Sequence, residues 1–329
     1  MNAKRWFALL GAAVLFLVSI VIQVGSTMAT SDFEKLFAFG EFEETVIEEG
    51  SSLNKIAVIP LDGIIMDTGG NPLVADTYDH QQFLTMLDEA AEDEFVEGII
   101  LRVNTPGGGV VESAEIYDKV VTIQEEYEKP VYVSMGNMAA SGGYYVAAPA
   151  EKIVAHDATV TGSIGVIMEN MNYKELADKL GIDYNTIKSG AFKDMGSGVR
   201  DMTKEEREML QTMIDEFYDG FVEAIVNGRG MSEDRIRELG DGRIYTGKQA
   251  KDVELIDELG TLDDTITLMK EDYDLGDVTV VEYGNPFNYF NRFMGGALQN
   301  IAGKETDLFG VSALLREMNA PRAMYLYSK

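Results

Sequence analysis

The hydrophobic and polar positions of the chain divide it into three zones with different patterns. Residues 6–24 form a largely apolar run, and no charged residue occurs between Arg5 and Asp32. An acidic segment with interspersed phenylalanines follows as far as residue 53. From Asn54 onward, short apolar runs alternate with amphipathic stretches, which predicts alternating strands and helices. This alternation is typical of an α/β fold with a largely parallel sheet.

The first apolar run predicts a membrane anchor. Its 19 residues are enough to span a hydrocarbon layer of roughly 30 Å. A cleaved signal peptide has a shorter apolar region, and STMATS is only a weak cleavage site. Lys4 and Arg5 precede the run, so the positive-inside rule predicts a cytoplasmic N-terminus and an extracytoplasmic domain. We therefore expect a single-pass protein of the cell membrane, held in lipid by residues 1–31, with residues 32–53 as an acidic juxtamembrane linker.

Composition excludes several kinds of site. The chain has no cysteine, which rules out disulfides and thiolate metal sites, and its two histidines are too few for a histidine-rich metal site. We expect both of them, His80 and His156, to be ordinary surface or loop residues. The formal net charge of −29 opposes nucleic-acid binding, because neutralising phosphate requires Lys and Arg. The acidic residues indicate a solvated acidic surface.

Most of the candidate catalytic residues lie in two glycine-containing turns, each of which follows a predicted strand. VNTPGGG ends one strand, and NMAASGG joins the next strand to a helix. Such turns lie at the carboxyl edge of the sheet, where α/β folds place their sites. Ser141 in the second turn either caps and packs the helix, or acts as a nucleophile at a helix N-terminus, which favours negative charge. Gly108 and Gly142 are the candidate backbone donors for an oxyanion; the alternative for both is tight packing.

A serine nucleophile requires a base, and neither histidine has a promising context. A lysine can replace histidine when burial or a nearby positive charge lowers the pKa of its amine. The candidates are Lys188 and Lys193 in IKSGAFKDMGSG, although each alone is as readily a solvated surface charge. The nucleotide-binding pattern GxxxxGK[ST] is absent. The elbow GxSxG is absent too, because Ala139 precedes Ser141 by two residues.

The second half of the chain predicts one more helix–strand pair, a long helix and an unusual tail. KELADKLG indicates a helix and IDYNTIKSG a strand. Thr203 and Glu206 form the capping-box pattern of a long helical stretch over residues 203–230. The C-terminal PRAMYLYSK is apolar and aromatic. It is either a strand or tail packed on the core or on a neighbouring subunit, or a self-ligand that enters the active-site groove and is trimmed there.

Four motifs occur in the order and spacing expected of bacterial signal peptide peptidase A, a family of membrane-anchored serine proteases. VNTPGGG, NMAASGGYY, TGSIGV and KSGAFKDMGS carry the resemblance, which extends over residues 54–285. It implies a ClpP/crotonase-like fold of repeated β-β-α units, followed by a C-terminal extension over residues 286–329. The resemblance also implies the roles of four residues: nucleophile Ser141, general base Lys193 (52 residues later), lysine-orienting Ser163 and oxyanion glycine Gly108.

The resemblance implies a function as well. The family degrades remnant signal peptides left in the membrane after secretion, and uses no metal or cofactor. An extended peptide substrate would pair with a strand edge. The chain is similar to the short form of the family, which implies a homo-oligomeric ring whose active sites are shared between subunits. Two alternatives stay open: a catalytically idle membrane-anchored scaffold of the same fold, and a crotonase-type acyl-CoA enzyme, whose cytosolic ligand suits an exported acidic domain poorly.

Overall fold

The computed structural model describes residues 42–51, 53–67, 78–284 and 324–327. The predicted anchor, most of the predicted linker and most of the C-terminal extension lie outside these residues. Among the described residues, no helix combines the length and the apolar character needed to cross a membrane.

Strands and helices alternate along the described chain, as the hydrophobic pattern predicts. The strands are β1 Glu43–Glu48, β2 Lys55–Asp62, β3 Val96–Thr105, β4 Gly107–Gly109, β5 Val131–Ala140, β6 Lys152–Ala155, β7 Val160–Gly162, β8 Ile244–Thr246, β9 Glu258–Leu259, β10 Thr279–Gly284 and β11 Met324–Leu326. The helices are α1 His80–Glu92, α2 Val110–Glu126, α3 Gly142–Ala147, α4 Lys174–Leu180, α5 Lys204–Arg229, α6 Glu233–Leu239, α7 Gly247–Asp252 and α8 Leu262–Asp272.

Nine of the described strands form one sheet with the central order β1-β10-β2-β3-β5-β6-β9. Strand β7 pairs with residues 138–140 at the end of β5, and β8 pairs with β7. All pairs in this sheet are parallel except β1 with β10 and β7 with β8. The predicted α/β fold with a largely parallel sheet is confirmed. Strands β4 and β11 form a separate antiparallel pair.

Local sequence explains how the central elements form. Residues 56–59 of β2 are all fully buried, as expected for a parallel strand covered on both faces. The predicted capping box of α5 is confirmed: Glu206 N donates to Thr203 Oγ1 at 3.1 Å, and Thr203 N donates to Glu206 Oε2 at 2.9 Å. The helix ends at Gly230, whose φ of +64° suits a residue without a side chain.

The strand predicted for IDYNTIKSG, residues 182–190, is wrong. This segment forms no strand and has no ladder partner among the described residues. Its apolar side chains face solvent: Tyr184 is 62% exposed and Ile187 is fully exposed. Alternating apolar residues favour a strand only when a neighbouring strand accepts their backbone hydrogen bonds.

The expectation for the two histidines is half right. His156 is exposed, as predicted. His80 is buried, because the first turn of α1 faces α2. Its Nδ1 lies 2.5 Å from the Tyr78 hydroxyl and its Nε2 lies 2.6 Å from Glu115 Oε2 on α2. These two partners satisfy both ring nitrogens, so the polar ring is accommodated inside the protein.

Candidate active site

Ser141 occupies a strained turn between β5 and α3. Its φ of 55° and ψ of −117° are neither helical nor extended, a backbone conformation that costs a non-glycine residue free energy. The turn is held by its backbone: Ser141 N donates to Gly162 O at 2.7 Å, and Ser141 O accepts from Tyr144 N and Tyr145 N at 2.9 Å. The residue is buried, and its side chain makes no capping hydrogen bond. The alternative of a simple N-cap serine therefore lacks its defining hydrogen bond.

Ser163 lies beside Ser141 at the same edge of the sheet. Strands β5 and β7 are parallel with Ala140 opposite Gly162, so the next residue on each strand is one of the two serines. Ser163 is also buried and also has a positive φ, 51°. Its N–H donates to Arg243 O at 2.8 Å. The structure thus brings together two of the serines that the sequence motifs singled out.

Strand β4, which the sequence predicts as a glycine turn, positions Gly108 next to Gly142. On one edge of β4, Gly107 O accepts from Ile65 N at 3.0 Å and Gly109 N donates to Ile65 O at 2.8 Å. Because successive residues of a strand face opposite edges, Gly108 turns its N–H to the other edge. A Cβ added to Gly142 would lie 3.1 Å from Gly108 N. The two predicted donor residues are therefore immediate neighbours.

The C-terminal segment lies along this free edge of β4. In the antiparallel pair of β4 and β11, Tyr325 stands opposite Gly108. On its other side, Met324 N donates to Ile167 O at 3.0 Å and Ile167 N donates to Met324 O at 3.1 Å. The tail is therefore held between two extended segments, as an added strand is held in peptide recognition.

The backbone of the tail also lies against Gly107 and Gly142. A Cβ on Gly107 would collide with the carbonyl oxygen of Tyr325, and a Cβ on Gly142 would lie 3.1 Å from the same oxygen. Gly107 has a φ of +102°, so both its conformation and the close approach of the tail favour glycine there. Residues 324–327 are the described part of PRAMYLYSK. They form a short extended segment that occupies the groove beside Ser141.

The side chain of Tyr325 fills an aromatic pocket. Its ring stacks on Tyr145 with centroids 5.0 Å apart, and lies 4.6 Å from the Phe221 ring. The Tyr325 hydroxyl donates to Phe217 O at 2.9 Å. Burial raises the pKa of this hydroxyl well above its usual value, so it remains a donor at neutral pH. The groove therefore offers one deep pocket for an aromatic side chain with a polar tip.

Lys193 stands apart from this cluster within one chain. It lies in the segment that we call the arm, residues 168–202, in which only Ala177 is buried. Lys193 is exposed, and its amine has no hydrogen-bond or ion-pair partner among the described residues. No described hydrogen bond joins it to Ser141. Lys188, the other candidate, donates to Asp194 Oδ1 at 2.6 Å and to Ala191 O at 2.8 Å, so its amine is already paired.

Several residues of the site carry no motif that sequence reasoning could detect. The pocket joins the rings of Tyr145 from α3 and Phe221 from α5 with the backbone oxygen of Phe217, so it combines segments that are far apart in sequence. Phe217 and Phe221 are one helical turn apart, but such spacing usually marks a core-facing helix. Ile167, which pairs with the tail, follows the TGSIGV motif, and nothing in its sequence context sets it apart from an ordinary apolar residue.

A buried serine in a strained turn, beside backbone donors and a groove that holds a peptide, is the arrangement expected of a serine peptidase. Sequence comparison agrees, since the profile of peptidase family S49 matches residues 123–276. The chain is 38% identical over 342 residues to the putative signal peptide peptidase SppA of Enterococcus faecium, with 99% of both chains covered. The chain therefore belongs to peptidase family S49 and is a serine endopeptidase.

Other relatives match a smaller share of the chain. The chain is 30% identical to the chloroplastic serine protease SPPA of Arabidopsis thaliana, over 78% of this chain and 39% of that protein. It is 32% identical to protease 4 of Haemophilus influenzae, over 65% of this chain and 34% of that longer protein. The similarity to such longer proteins covers little more than a third of their length.

Proposed function

We propose that this protein is a membrane-anchored peptidase that degrades remnant signal peptides through a Ser141–Lys193 dyad. The observation that carries the proposal is the tail peptide lying against Gly107, Gly108 and Gly142 beside Ser141. A peptide bound in this register presents a carbonyl group to backbone donors next to a hydroxyl group. The similarity to the putative signal peptide peptidase of Enterococcus faecium supports the substrate class, and the parallel sheet is consistent with repeated ClpP/crotonase-like β-β-α units.

In the proposed mechanism, Lys193 accepts the hydroxyl proton as Ser141 Oγ attacks the carbonyl carbon of the substrate. The N–H groups of Gly108 and Gly142 stabilise the negative charge that develops on the carbonyl oxygen. The C–N bond then breaks, and the lysine returns its proton to the leaving amine. Water hydrolyses the resulting ester with the lysine again as base, which restores the Ser141 hydroxyl. Ser163, beside Ser141, orients the incoming lysine.

The tail itself is a proposed substrate. Its register puts the Tyr325 carbonyl group at the glycines, so the Tyr325–Leu326 bond is the one we expect Ser141 to cut. Mass spectrometry of the purified protein tests this: the wild type should lack residues 326–329, and Ser141→Ala should keep them. An identical C-terminus in both proteins would reject self-processing.

The dyad is proposed to form between subunits of a ring. The arm exposes a set of large apolar side chains that water solvates poorly: Met171, Leu176, Leu180, Ile182, Tyr184 and Ile187. A neighbouring copy would cover them, and would receive Lys193 next to its own Ser141 in a head-to-tail contact that closes into a ring. Burial at that contact would keep water from the lysine.

Subunit mixing tests the shared site. Ser141→Ala and Lys193→Ala should each be inactive, whereas a co-expressed mixture should regain part of the activity at contacts that combine an intact Ser141 with an intact Lys193. Two affinity tags establish that mixed assemblies form. Mixed assemblies without activity would contradict the shared dyad.

Membrane anchoring is proposed from residues 6–24. The full-length protein should remain with membranes after a carbonate wash, whereas a variant starting near residue 53 should be soluble. A mature protein in the medium that begins near residue 30 would instead indicate a cleaved signal peptide. We place the catalytic domain outside the cytoplasm, which protease accessibility of intact spheroplasts would test.

Labelling with a fluorophosphonate separates the peptidase from the idle scaffold and from the acyl-CoA enzyme. The wild type should be labelled at Ser141, and Ser141→Ala should not. Cleavage of a synthetic signal peptide by the wild type alone then establishes the substrate class.

A further inference from the structure

The segment that carries Lys193 is held by a network of ion pairs centred on the next residue, Asp194. One carboxylate oxygen, Oδ1, accepts from Lys188 Nζ at 2.6 Å and from Arg200 Nη2 at 2.7 Å. The other, Oδ2, accepts from Arg200 Nε at 3.0 Å. Arg200 Nη2 also donates to the backbone oxygen of Asp194 at 3.0 Å. Both oxygens of the carboxylate nearest in sequence to Lys193 are therefore occupied by other cations.

Arg200 ties this carboxylate to the start of α5. Its Nη1 donates to Glu206 Oε2 at 2.8 Å, and its Nη2 donates to Glu206 Oε1 at 2.5 Å. Glu206 is only 2% exposed and is fixed by the capping box with Thr203. A planar guanidinium that binds two carboxylates in this way holds a definite orientation. The backbone at Lys193 is thus fastened to the helix that also contributes Phe221 to the peptide groove.

The network has an electrostatic consequence for the neighbouring amine. A carboxylate within ~4–6 Å of an amine favours the protonated form, and nearby cations favour the neutral form. The charged groups of the network next to Lys193 along the chain are Lys188, Asp194 and Arg200 from the arm, and Glu206 from α5. Beyond them on the arm lies the exposed ion pair of Lys174 with Asp201. Each carboxylate in the immediate set already has a cationic partner.

The Asp194 carboxyl stays charged under all ordinary conditions. Hydrogen bonds from Arg200 and Lys188 hold its pKa well below the usual range. Lys188 pairs with Asp194 Oδ1 only, so without Arg200 the other oxygen, Oδ2, would be open to the amine one residue away. The pairing of Asp194 with Arg200 and Lys188 therefore affects the Lys193 amine at every pH at which this amine is required to accept a proton.

We propose that Arg200 is a positioning residue of the active site: it fixes the segment of Lys193 on Glu206 and keeps Asp194 from pairing with the Lys193 amine. The inference rests on the proposed role of Lys193 as general base. In this proposal Arg200 acts on the reaction through Asp194 and Glu206, its described carboxylate partners.

The test measures kcat/KM of the full-length protein in detergent for a fluorogenic signal peptide between pH 6 and pH 10. In Arg200→Gln, the pH at which kcat/KM reaches half its maximum should rise by about one unit, which lowers activity near pH 7.5 about tenfold. In the double variant Arg200→Gln with Asp194→Asn, the competing carboxylate is gone, and the pH profile should return to that of the wild type.

A matched control is Arg237→Gln, because Arg237 also bridges two carboxylates, Asp219 and Glu233, but on the exposed side of α5 and α6. It should leave the pH profile unchanged. Should Arg200→Gln fail to fold, Glu206→Gln provides a second variant, since glutamine can keep the capping box while losing the charge that holds Arg200. It should shift the profile in the same direction.

A merely structural role gives a different result. Equal loss of activity at every pH, with no recovery in the double variant, would overturn the proposal, and so would a wild-type profile in Arg200→Gln. Failure of the underlying function is recognised separately, because Lys193→Ala would then retain activity. If Lys193→Ala is inactive and Arg200→Gln has an unshifted profile, only the positioning role is wrong.

Discussion

The turn that carries Ser141 and the arm that carries Lys193 are stabilised by different kinds of interaction. The turn is buried, and its shape is set by backbone hydrogen bonds from strands β5 and β7. The arm is exposed, and side-chain ion pairs fix the segment around Lys193. Small backbone changes should therefore damage the first region, whereas the second should tolerate them and respond to charge. The proposed nucleophile and its proposed backbone donors lie together within one chain, whereas the proposed base is exposed.

The largest expected effect comes from Lys193→Ala. Loss of a general base should lower kcat/KM by about 10³-fold or more, while thermal unfolding stays unchanged because the side chain is exposed. Lys193→Arg should not restore activity, since a guanidinium group stays protonated. Lys179→Ala, at another exposed lysine of the arm, is the control and should be fully active. An active arginine variant would contradict the assignment of the base.

Gly107→Ala should have the next largest effect. The added Cβ would collide with the bound tail and strain a residue with a φ of +102°, at a cost of about 1–3 kcal/mol. We expect a lower melting temperature and about a 100-fold lower kcat/KM, as for other small displacements of catalytic groups. Gly190→Ala is the matched change in the arm, where an added Cβ meets no atom within 4 Å. Equal effects of Gly107→Ala and Gly190→Ala would contradict the conclusion that the arm tolerates backbone changes better than the region around Ser141.

Tyr325→Phe should have a smaller effect, and it should increase the reactivity of Ser141 rather than lower it. It removes the hydrogen bond to Phe217 O, which contributes about 1 kcal/mol, so the tail should vacate the groove more often. Fluorophosphonate labelling of Ser141 should accelerate about fivefold, by the same energy. Tyr127→Phe makes the same chemical change at an exposed tyrosine outside the groove and should label at the wild-type rate. An unchanged rate in Tyr325→Phe would show that the tail does not limit access.

The smallest expected effect is an acid transition confined to the arm. Arg200 and the Thr203 N–H lower the pKa of Glu206 to about 2, and the Asp194 pKa is also depressed. Such carboxylates stabilise the fold above their unfolded pKa of about 4, and this contribution is lost as pH falls through the folded pKa. Hydrogen exchange, corrected for intrinsic rates, should show the arm losing protection between about pH 4 and pH 2.

Glu206→Gln supplies the contrast for this measurement. Without the Glu206 charge, the change in arm protection on acidification should be about half as large. Protection of the backbone around Ser141 should be the same in both proteins. Loss of protection in both regions together would indicate global acid unfolding instead.

Much of the framework follows from local sequence. The strands and helices around the site, the capping box of α5 and the turn at Ser141 follow from apolar periodicity, cap residues and glycines, which act over a few residues. The short spacing between each strand and the next turn was enough to predict that Ser141 and Gly108 share one edge of the sheet. The largely parallel arrangement follows from the alternation of strands and helices.

Other features depend on contacts between distant segments. The segment at residues 182–190 has the pattern of a strand but lacks a partner, and β4 became a strand because Ile65 and the tail flank it. The burial of His80 depends on Glu115, and the pocket for Tyr325 on Phe221. Pairing and burial are properties of surfaces that meet in space, and a single stretch of sequence does not contain both sides. The sequence by itself therefore determined the elements and the chemistry of the candidate residues. Tertiary structure alone decided that the tail enters the groove, and that Lys193 is exposed without a described hydrogen bond to the Ser141 of its own chain.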